Sequence, residues 1–426
     1  MKPKPDLPAI PSEEEDAPTR SDPIRPGPII ARLALTLLGV VVGMAVVDRA
    51  ILVVDASQGA DGGAGAIMQV QGLGWTNKPF FENPEFETRL DRFGLRNDEI
   101  PETASPAELR IAGFGASRVF GAGGGMQPWC WNYQLEQQLE EAAVRVLNGG
   151  VMGYSGLQAA RRARLFLDAL EPDLVFVLVS PGRQMMVDNS SALNWVQIGD
   201  DPNDLVPANV VEGLPDVLQG AAIRIHRLGN AYSGIYRRLR ANADVGTERG
   251  SEIAMWRLTK SPMSASIAES VERTLQEFEA LAETCDKRGI ELRALVFPDI
   301  EQDSEPAWQG FLRNNQAQGA PPIGTPREEP SLELQRRLEE LGLQVWNFYE
   351  EVSRMGISRK SYIMEDNFHW SEPGHQVFTR GLARRIREEG LLESLAARRS
   401  ANPRTRPFGE VPFEKSAVES AEETTP

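Results

Sequence analysis

Ser117 stands in a glycine-flanked turn, Gly113-Phe-Gly115-Ala116-Ser117-Arg118-Val-Phe-Gly121, and Asp366 stands three residues before His369 near the other end of the chain. A serine hydroxyl becomes a useful nucleophile only when a base takes its proton. A histidine is a good base when a neighbouring group fixes its ring and stabilises the imidazolium. Ser117, His369 and Asp366 supply those three parts. Histidine is scarce, with three in 426 residues, so the base must be His226, His369 or His375. His226 lies in a basic stretch and is expected to be exposed. His375 follows Pro373-Gly374 and is expected to start a helix and bond backbone there, which leaves His369. A second glycine-rich turn, Asn148-Gly-Gly-Val-Met-Gly153-Tyr-Ser-Gly156, frees backbone N–H groups to face a ligand.

The elements that must position these turns follow from hydrophobic periodicity. Short apolar runs at Glu108–Phe114, Val144–Asn148, Asp173–Ser180, Glu291–Phe297 and Leu343–Asn347 read as strands. Between and after them, Pro128–Glu141, Leu157–Leu170, Ile267–Arg288, Ser331–Leu341 and Pro373–Glu388 repeat apolar residues at helical spacing. Strands alternating with helices predict an α/β fold, a doubly wound parallel sheet of five strands with helices on both faces. In such sheets the ligand crevice lies beyond the carboxyl ends of the strands, where both glycine-rich turns and His369 fall. Trp346 and Trp370 read as packing residues. The stretch 182–264 is too long for a connection and carries its own helical pattern at Val217–Ala241, so it reads as a mainly helical insertion. Its arginines, Arg224, Arg227, Arg237, Arg238 and Arg240, read as a solvated helix face, with anionic lipid or an acidic polymer as the functional alternative.

Residues 1–28 are rich in proline and acidic residues and cannot bury enough apolar surface to offset chain entropy, so they are expected to form a disordered tail. Residues 29–54 are apolar, broken by Arg32 and by Asp48-Arg49. As a helix they reach about 39 Å, enough to cross a bilayer with the arginines snorkelling to opposite interfaces. This segment is expected to be an uncleaved signal anchor, with a cleaved signal peptide as the alternative because of the small residues around Asp55-Ala56-Ser57. Arg20, Arg25 and Arg32 before it favour a cytoplasmic amino end and an extracytoplasmic remainder. Gly39-Val-Val-Val-Gly43 is a GxxxG pattern, and dimerisation through Gly39 and Gly43 is the corresponding expectation. Residues 55–72 read as a linker, 73–397 as the folded domain, and 398–426 as a second disordered tail. A formal net charge of −16 argues against binding nucleic acid. Two cysteines, Cys130 and Cys285, exclude a disulfide scaffold and Cys-rich zinc sites. One disulfide between them is open. No metal or other cofactor is expected.

The three turns together resemble those of the SGNH/GDSL hydrolases, chiefly through Asp366-x-x-His369 followed by Pro373-Gly374-His375. The stretch from Gly74-Trp75 to Phe93-Gly-Leu-Arg96 resembles the membrane-anchored bacterial envelope members. The resemblance implies a flavodoxin-like sheet with Ser117 as nucleophile, His369 as base and Asp366 as the group orienting it. It implies the N–H groups of Ser117 and Gly153 as oxyanion donors. The function it implies is an esterase or O-acyltransferase working through an acyl-enzyme on an ester, most plausibly an O-acetyl group, of an envelope or exported polysaccharide. The implied location is the periplasmic face of a bacterial inner membrane.

Two departures bear on activity. Ala116 stands where the family usually has an aspartate. The third strand runs into Ser180-Pro181-Gly182-Arg183-Gln184, so Gly182 takes the place of the family's asparagine, the third oxyanion donor. Arg183, Gln184 and Asn189 are the candidates to replace it. The rival reading is a degenerate SGNH domain that binds a carbohydrate or a partner without turnover. A nucleotide-binding Rossmann domain using the glycines of Gly121–Gly125 is disfavoured, since no acidic ribose-binding residue follows a second strand.

Overall fold

The computed structural model describes residues 67–70, 72–84, 87–100, 105, 107–122, 127–140, 143–185, 196–198, 205–207, 265–302, 304–314, 316, 321–354, 363, 369–404 and 408–412. Five strands, β1 (Leu109–Phe114), β2 (Val144–Asn148), β3 (Leu174–Val179), β4 (Glu291–Val296) and β5 (Val345–Asn347), form one all-parallel sheet. Their order across the sheet is β5-β4-β3-β1-β2. This is the doubly wound, flavodoxin-like arrangement, and its topological switch point lies between β1 and β3.

The alternation of side chains along β3 explains why both faces are covered. Leu174, Phe176 and Leu178 point to one side, and Val175, Val177 and Val179 to the other, all buried. The valine side packs on α3 (Gly156–Leu170), α4 (Ala265–Arg288) and α6 (Glu329–Glu340). On the other side Trp131 and Leu135 of α2 (Trp131–Gln138), Phe378 and Leu382 of α8 (Glu372–Glu388) and Leu395 of α9 (Leu391–Ala401) close the second core. Helix α3 starts on a capping box, in which Ser155 Oγ accepts from Gln158 N (3.2 Å) and Gln158 Oε1 accepts from Ser155 N (3.0 Å). Such reciprocal caps satisfy two orphan donors and fix where a helix begins. The structure adds α5 (Glu305–Asn314) and α7 (Tyr349–Arg354) to the helices expected from periodicity. In α5 the buried Trp308, Phe311 and Leu312 form one face, whereas α7 is barely two turns long.

Strand β2 is the outer strand, and the segment before β1 covers its edge. Arg96 N donates to Asn148 O (2.9 Å), Asn148 N donates to Asn97 Oδ1 (2.9 Å), and Asn97 Nδ2 donates to Val146 O (2.8 Å). The segment is folded by Asp91, whose Oδ1 accepts from Phe93 N (2.8 Å) and Leu95 N (2.9 Å). Burial pushes the Asp91 carboxyl up to about 8 against the pull of those two donors.

Of the insertion, the one-turn 3-10 helix Arg183–Met185 and an antiparallel pair, Val196–Ile198 with Leu205–Pro207, are described. The helix expected at 217–241, its arginines and His226 lie outside the described residues. So does the expected anchor at 29–54, with Gly39 and Gly43. Among the described residues no helix is long and apolar enough to cross a membrane. Cys130 and Cys285 are both free and buried.

The chain does not leave the core at 397, where the sequence suggests a tail begins. Helix α9 continues to Ala401, and Arg404 and Phe408 are buried beyond it. Asp173 Oδ2 accepts from Arg404 Nη2 (2.6 Å), and its Oδ1 accepts from Arg399 Nε (2.9 Å). The Phe408 ring lies under the Arg110 guanidinium at 3.5 Å, and Gly409 N donates to Ala169 O (2.8 Å). One buried phenylalanine and a few arginines in a polar stretch leave no periodic signal. Ending the chain at residue 397 removes Arg399, Arg404 and Phe408 and leaves Asp173 in a buried site without its arginines. Breaking such a pair costs roughly 3–5 kcal/mol, so thermal denaturation should show a clearly lower midpoint for a chain ending at 397 than for one ending at 412. Equal midpoints would contradict this role.

Candidate active site

Ser117 leaves the sheet at the switch point. The register pairs Phe114, the last residue of β1, with Val177 of β3, and Ser117 follows three residues later. Ala116 is still extended, and Ser117 opens the single turn α1 (Ser117–Phe120), which ends on Gly121 in the left-handed region. On the other side of β1, pairing with β2 continues past the strand ends. Gly149 N donates to Gly113 O (2.7 Å) and Val151 N to Gly115 O (3.0 Å). The second glycine-rich turn is thereby zipped onto the first. The two approach so closely that a Cβ on Gly150 would lie 2.2 Å from Phe120 N, which no side chain permits.

Gly153 follows at once, with φ of 75°. Its neighbours hold it in place. Trp75 Nε1 donates to Met152 O (2.9 Å), Tyr154 Oη donates to Trp75 O (2.5 Å), and Ser155 begins the capping box of α3. The Trp75 segment thus acts as a brace for the turn that carries Gly153.

Two buried arginines hold α1, Arg118 from within it and Arg96 from outside. Arg118, the residue after Ser117, donates through Nη1 to Ser180 Oγ (3.3 Å) and Pro298 O (3.2 Å), tying together the carboxyl ends of β1, β3 and β4. Its guanidinium lies 5.6 Å from the centroid of Phe297. Arg96 donates through Nη1 to Phe120 O (3.1 Å) and Gly121 O (2.5 Å), the carbonyls at the far end of α1. A guanidinium remains charged in any protein environment, so the serine turn is held by two positive groups inside an acidic protein. Neither arginine has a role in the sequence reading. The signal available for Arg96 is its place in Phe93-Gly-Leu-Arg96, and for Arg118 its place directly after the serine.

His369 is half-buried, next to the fully buried Trp370. Trp370 pairs in an isolated bridge with Ile363 and packs on Phe297 (4.9 Å between ring centroids) and Phe378 (4.7 Å). Since Arg118 lies on the same Phe297 ring, the residue after Ser117 and the residue after His369 touch a common side chain. Ser117 Oγ has no hydrogen-bond partner among the described residues. Trp346 and Trp370 are packing residues, as expected. Asp366 and Asn189 lie outside the described residues. Arg183 opens the 3-10 turn after β3, and Gln184 follows it, half-buried, with Oε1 accepting from Ser180 N (2.7 Å).

His375 lies at the start of a helix and bonds backbone there, as expected, but its ring is not what holds it. It starts α8, and its backbone N donates to Ser371 O (3.0 Å), but its ring bonds no backbone. The ring is fully buried, edge-on to Trp370 at 5.4 Å, and neither nitrogen has a hydrogen-bond partner among the described residues. Its Cε1 lies 3.5 Å from the place a Cβ of Gly121 would take, beside Arg96 Nη1 and Cys130 Sγ. Burial, then the Arg96 charge, then His369 push its pKa down to about 3. Such a ring is a poor base at neutral pH. Among the described residues no group of three or more His, Cys, Asp or Glu side chains is placed to hold a metal ion.

No family model matches the chain, and no curated protein does. Among solved structures it is similar to a two-domain esterase active on acetylated mannans, at 12% identity and a TM-score of 0.34, covering 71% of this chain and 52% of that one. The chain thus spans about half the length of that protein. It is similar to a lipolytic protein of the G-D-S-L family from Desulfitobacterium hafniense, at 12% identity and a TM-score of 0.33, covering 65% of this chain and 98% of that one. It is also similar to an acetylxylan esterase from Geobacillus stearothermophilus, at 12% identity and a TM-score of 0.35, covering 65% and 94%.

The low pKa of His375 sets an acid limit on stability. The unfolded ring has a pKa near 6.5, so below that pH the unfolded chain binds a proton the folded chain refuses. The stability due to a neutral His375 is complete above pH 6.5 and is lost as pH falls towards 3, at up to ~1.4 kcal/mol per pH unit. Urea midpoints at pH 7.5 and 5.0 should drop more for the native protein than for His375→Leu. An equal drop in both would show that the ring does not titrate in this way.

Proposed function

We propose that the chain is a serine esterase or O-acyltransferase of the SGNH type, tethered to the bacterial inner membrane through residues 29–54. Its substrate is an ester, an O-acetyl group, on an envelope or exported polysaccharide on the periplasmic side. The observation that carries this reading is the fusion of the two glycine-rich turns across the end of β1 and β2, with Gly150 against the backbone of α1. It holds a serine and the N–H-bearing turn around Gly153 at the switch point where an α/β sheet binds its ligand.

In the proposed cycle Ser117 Oγ attacks the ester carbonyl carbon while His369 takes the hydroxyl proton, with Asp366 orienting the imidazole. The carbonyl π electrons move onto oxygen, and the N–H groups of Ser117 and Gly153 receive the oxyanion. Each such donor contributes about 3–4 kcal/mol in the transition state. Collapse breaks the ester C–O bond, and the departing sugar oxygen takes the proton from His369. The acyl-enzyme is then resolved by water, giving acetate, or by a second sugar hydroxyl, giving a transferred ester. The positive charge of Arg118 and Arg96 at α1 favours the oxyanion in both halves of the cycle.

The rival reading, a binding module without turnover, is favoured by one observation. Gly182 has no side chain to donate, and its N–H is engaged by Asp299 Oδ2 (2.8 Å).

Purified full-length protein should hydrolyse a chromogenic acetyl ester, and Ser117→Ala and His369→Ala should each lower kcat at least 10³-fold with little change in melting temperature. Adding acetyl-acceptor oligosaccharides and following both acetate and acetylated sugar separates hydrolysis from transfer. A folded native protein with no turnover, or a fully active His369→Ala, would overturn the enzymatic reading.

A further inference from the structure

Gln184 is a side-chain donor held in one orientation with no described acceptor. Its Oε1 accepts the backbone N–H of Ser180 at 2.7 Å. Only the oxygen of an amide accepts, so this bond fixes which way round the amide lies and sends the NH₂ group to the opposite side. Among the described residues that NH₂ has no hydrogen-bond partner, and the residue is half-buried.

The loop around it is braced on every side. Arg118 holds Ser180 Oγ, Asp299 holds Gly182 N, and the carbonyl of Gln184 lies against Gly156 at the start of α3. These contacts place Gln184 between the two parts of the site already described. Ser180, to which its amide is bonded, accepts through Oγ from Arg118, the residue after Ser117. Gly156, against its carbonyl, is three residues past Gly153. Gly153 approaches the serine turn from the β2 side of β1 and Gln184 from the β3 side. The other donor at that corner of the loop, Gly182 N, is already engaged.

Resting on the serine-esterase reading, we propose that the Gln184 side-chain amide is a third oxyanion donor, catalytic in the sense that it bonds the reacting oxygen. It takes the place left empty by Gly182. A preoriented amide of this kind needs no rearrangement when charge develops, which is what makes such donors effective.

The test separates the two ends of the side chain. Gln184→Glu keeps an oxygen for Ser180 N–H and removes only the NH₂, whereas Gln184→Ala removes both. With an acetyl ester as substrate, the proposal expects both variants to lose 10²- to 10³-fold in kcat with KM within about threefold. The melting temperature of Gln184→Glu should stay near that of the native protein. If Gln184 serves only to brace Ser180, Gln184→Glu retains native kcat while Gln184→Ala loses activity and stability together, and the proposal fails while the esterase reading stands. If the folded native protein neither turns over the ester nor depends on Ser117, the esterase reading fails and this proposal fails with it.

Discussion

The site depends on one stretch of backbone pairing that does not stop where the strands stop. Beyond β1 and β2 the chains remain hydrogen-bonded through Gly149 N to Gly113 O and Val151 N to Gly115 O, and Gly150 closes the gap to α1. Two loops that would otherwise move independently become one rigid floor. Loops usually pay for their freedom with imprecision. Here the glycines allow main chain to pack on main chain, and the position of Ser117 relative to Gly153 is set by the sheet itself. Asn148 and the Arg96–Asn97 segment extend the same lattice to the outer edge of β2, an edge that would otherwise offer unpaired groups to another chain.

Charge and packing add the other two corners. Arg118 ties three strand ends together and lies on Phe297; the same ring carries Trp370, next to His369. Aromatic pairs at these separations contribute about 0.5–1.5 kcal/mol beyond the area they bury. The histidine segment is thus attached to the core through tryptophan rather than through the serine. The neighbouring His375 is kept neutral by burial and by Arg96.

The sheet was legible because its strands are continuous apolar runs closed by glycine or serine, and its long helices have clean stripes such as Ala159, Ala163, Phe166 and Leu170 on α3. The turns that carry Ser117, Gly153 and His369 stand out in the sequence by their residue types, and the roles of these residues belong to the proposal. Arg118, Arg96 and the orientation of Gln184 were not, since Arg118 acts across 62 residues on Ser180, Arg96 on the carbonyls of Phe120 and Gly121, and Gln184 by folding back on Ser180 N, none of which leaves a periodic pattern. The docking of Arg404 and Phe408 was hidden for the same reason: a polar segment can be anchored by two side chains without any period. The place of His375 at a helix start was legible and the burial of its ring was not, because a helix-start position says where the backbone goes and nothing about what covers the ring.

The central claim is that Ser117 is an activated nucleophile held in an oxyanion-binding turn. Its most direct measurement is peptide mapping by mass spectrometry of the full-length folded protein after incubation with an organophosphonate ester. The account predicts one stoichiometric adduct, on Ser117, which is absent in His369→Ala over the same time. Folded protein that stays unmodified, or that carries the adduct on another residue, would contradict it.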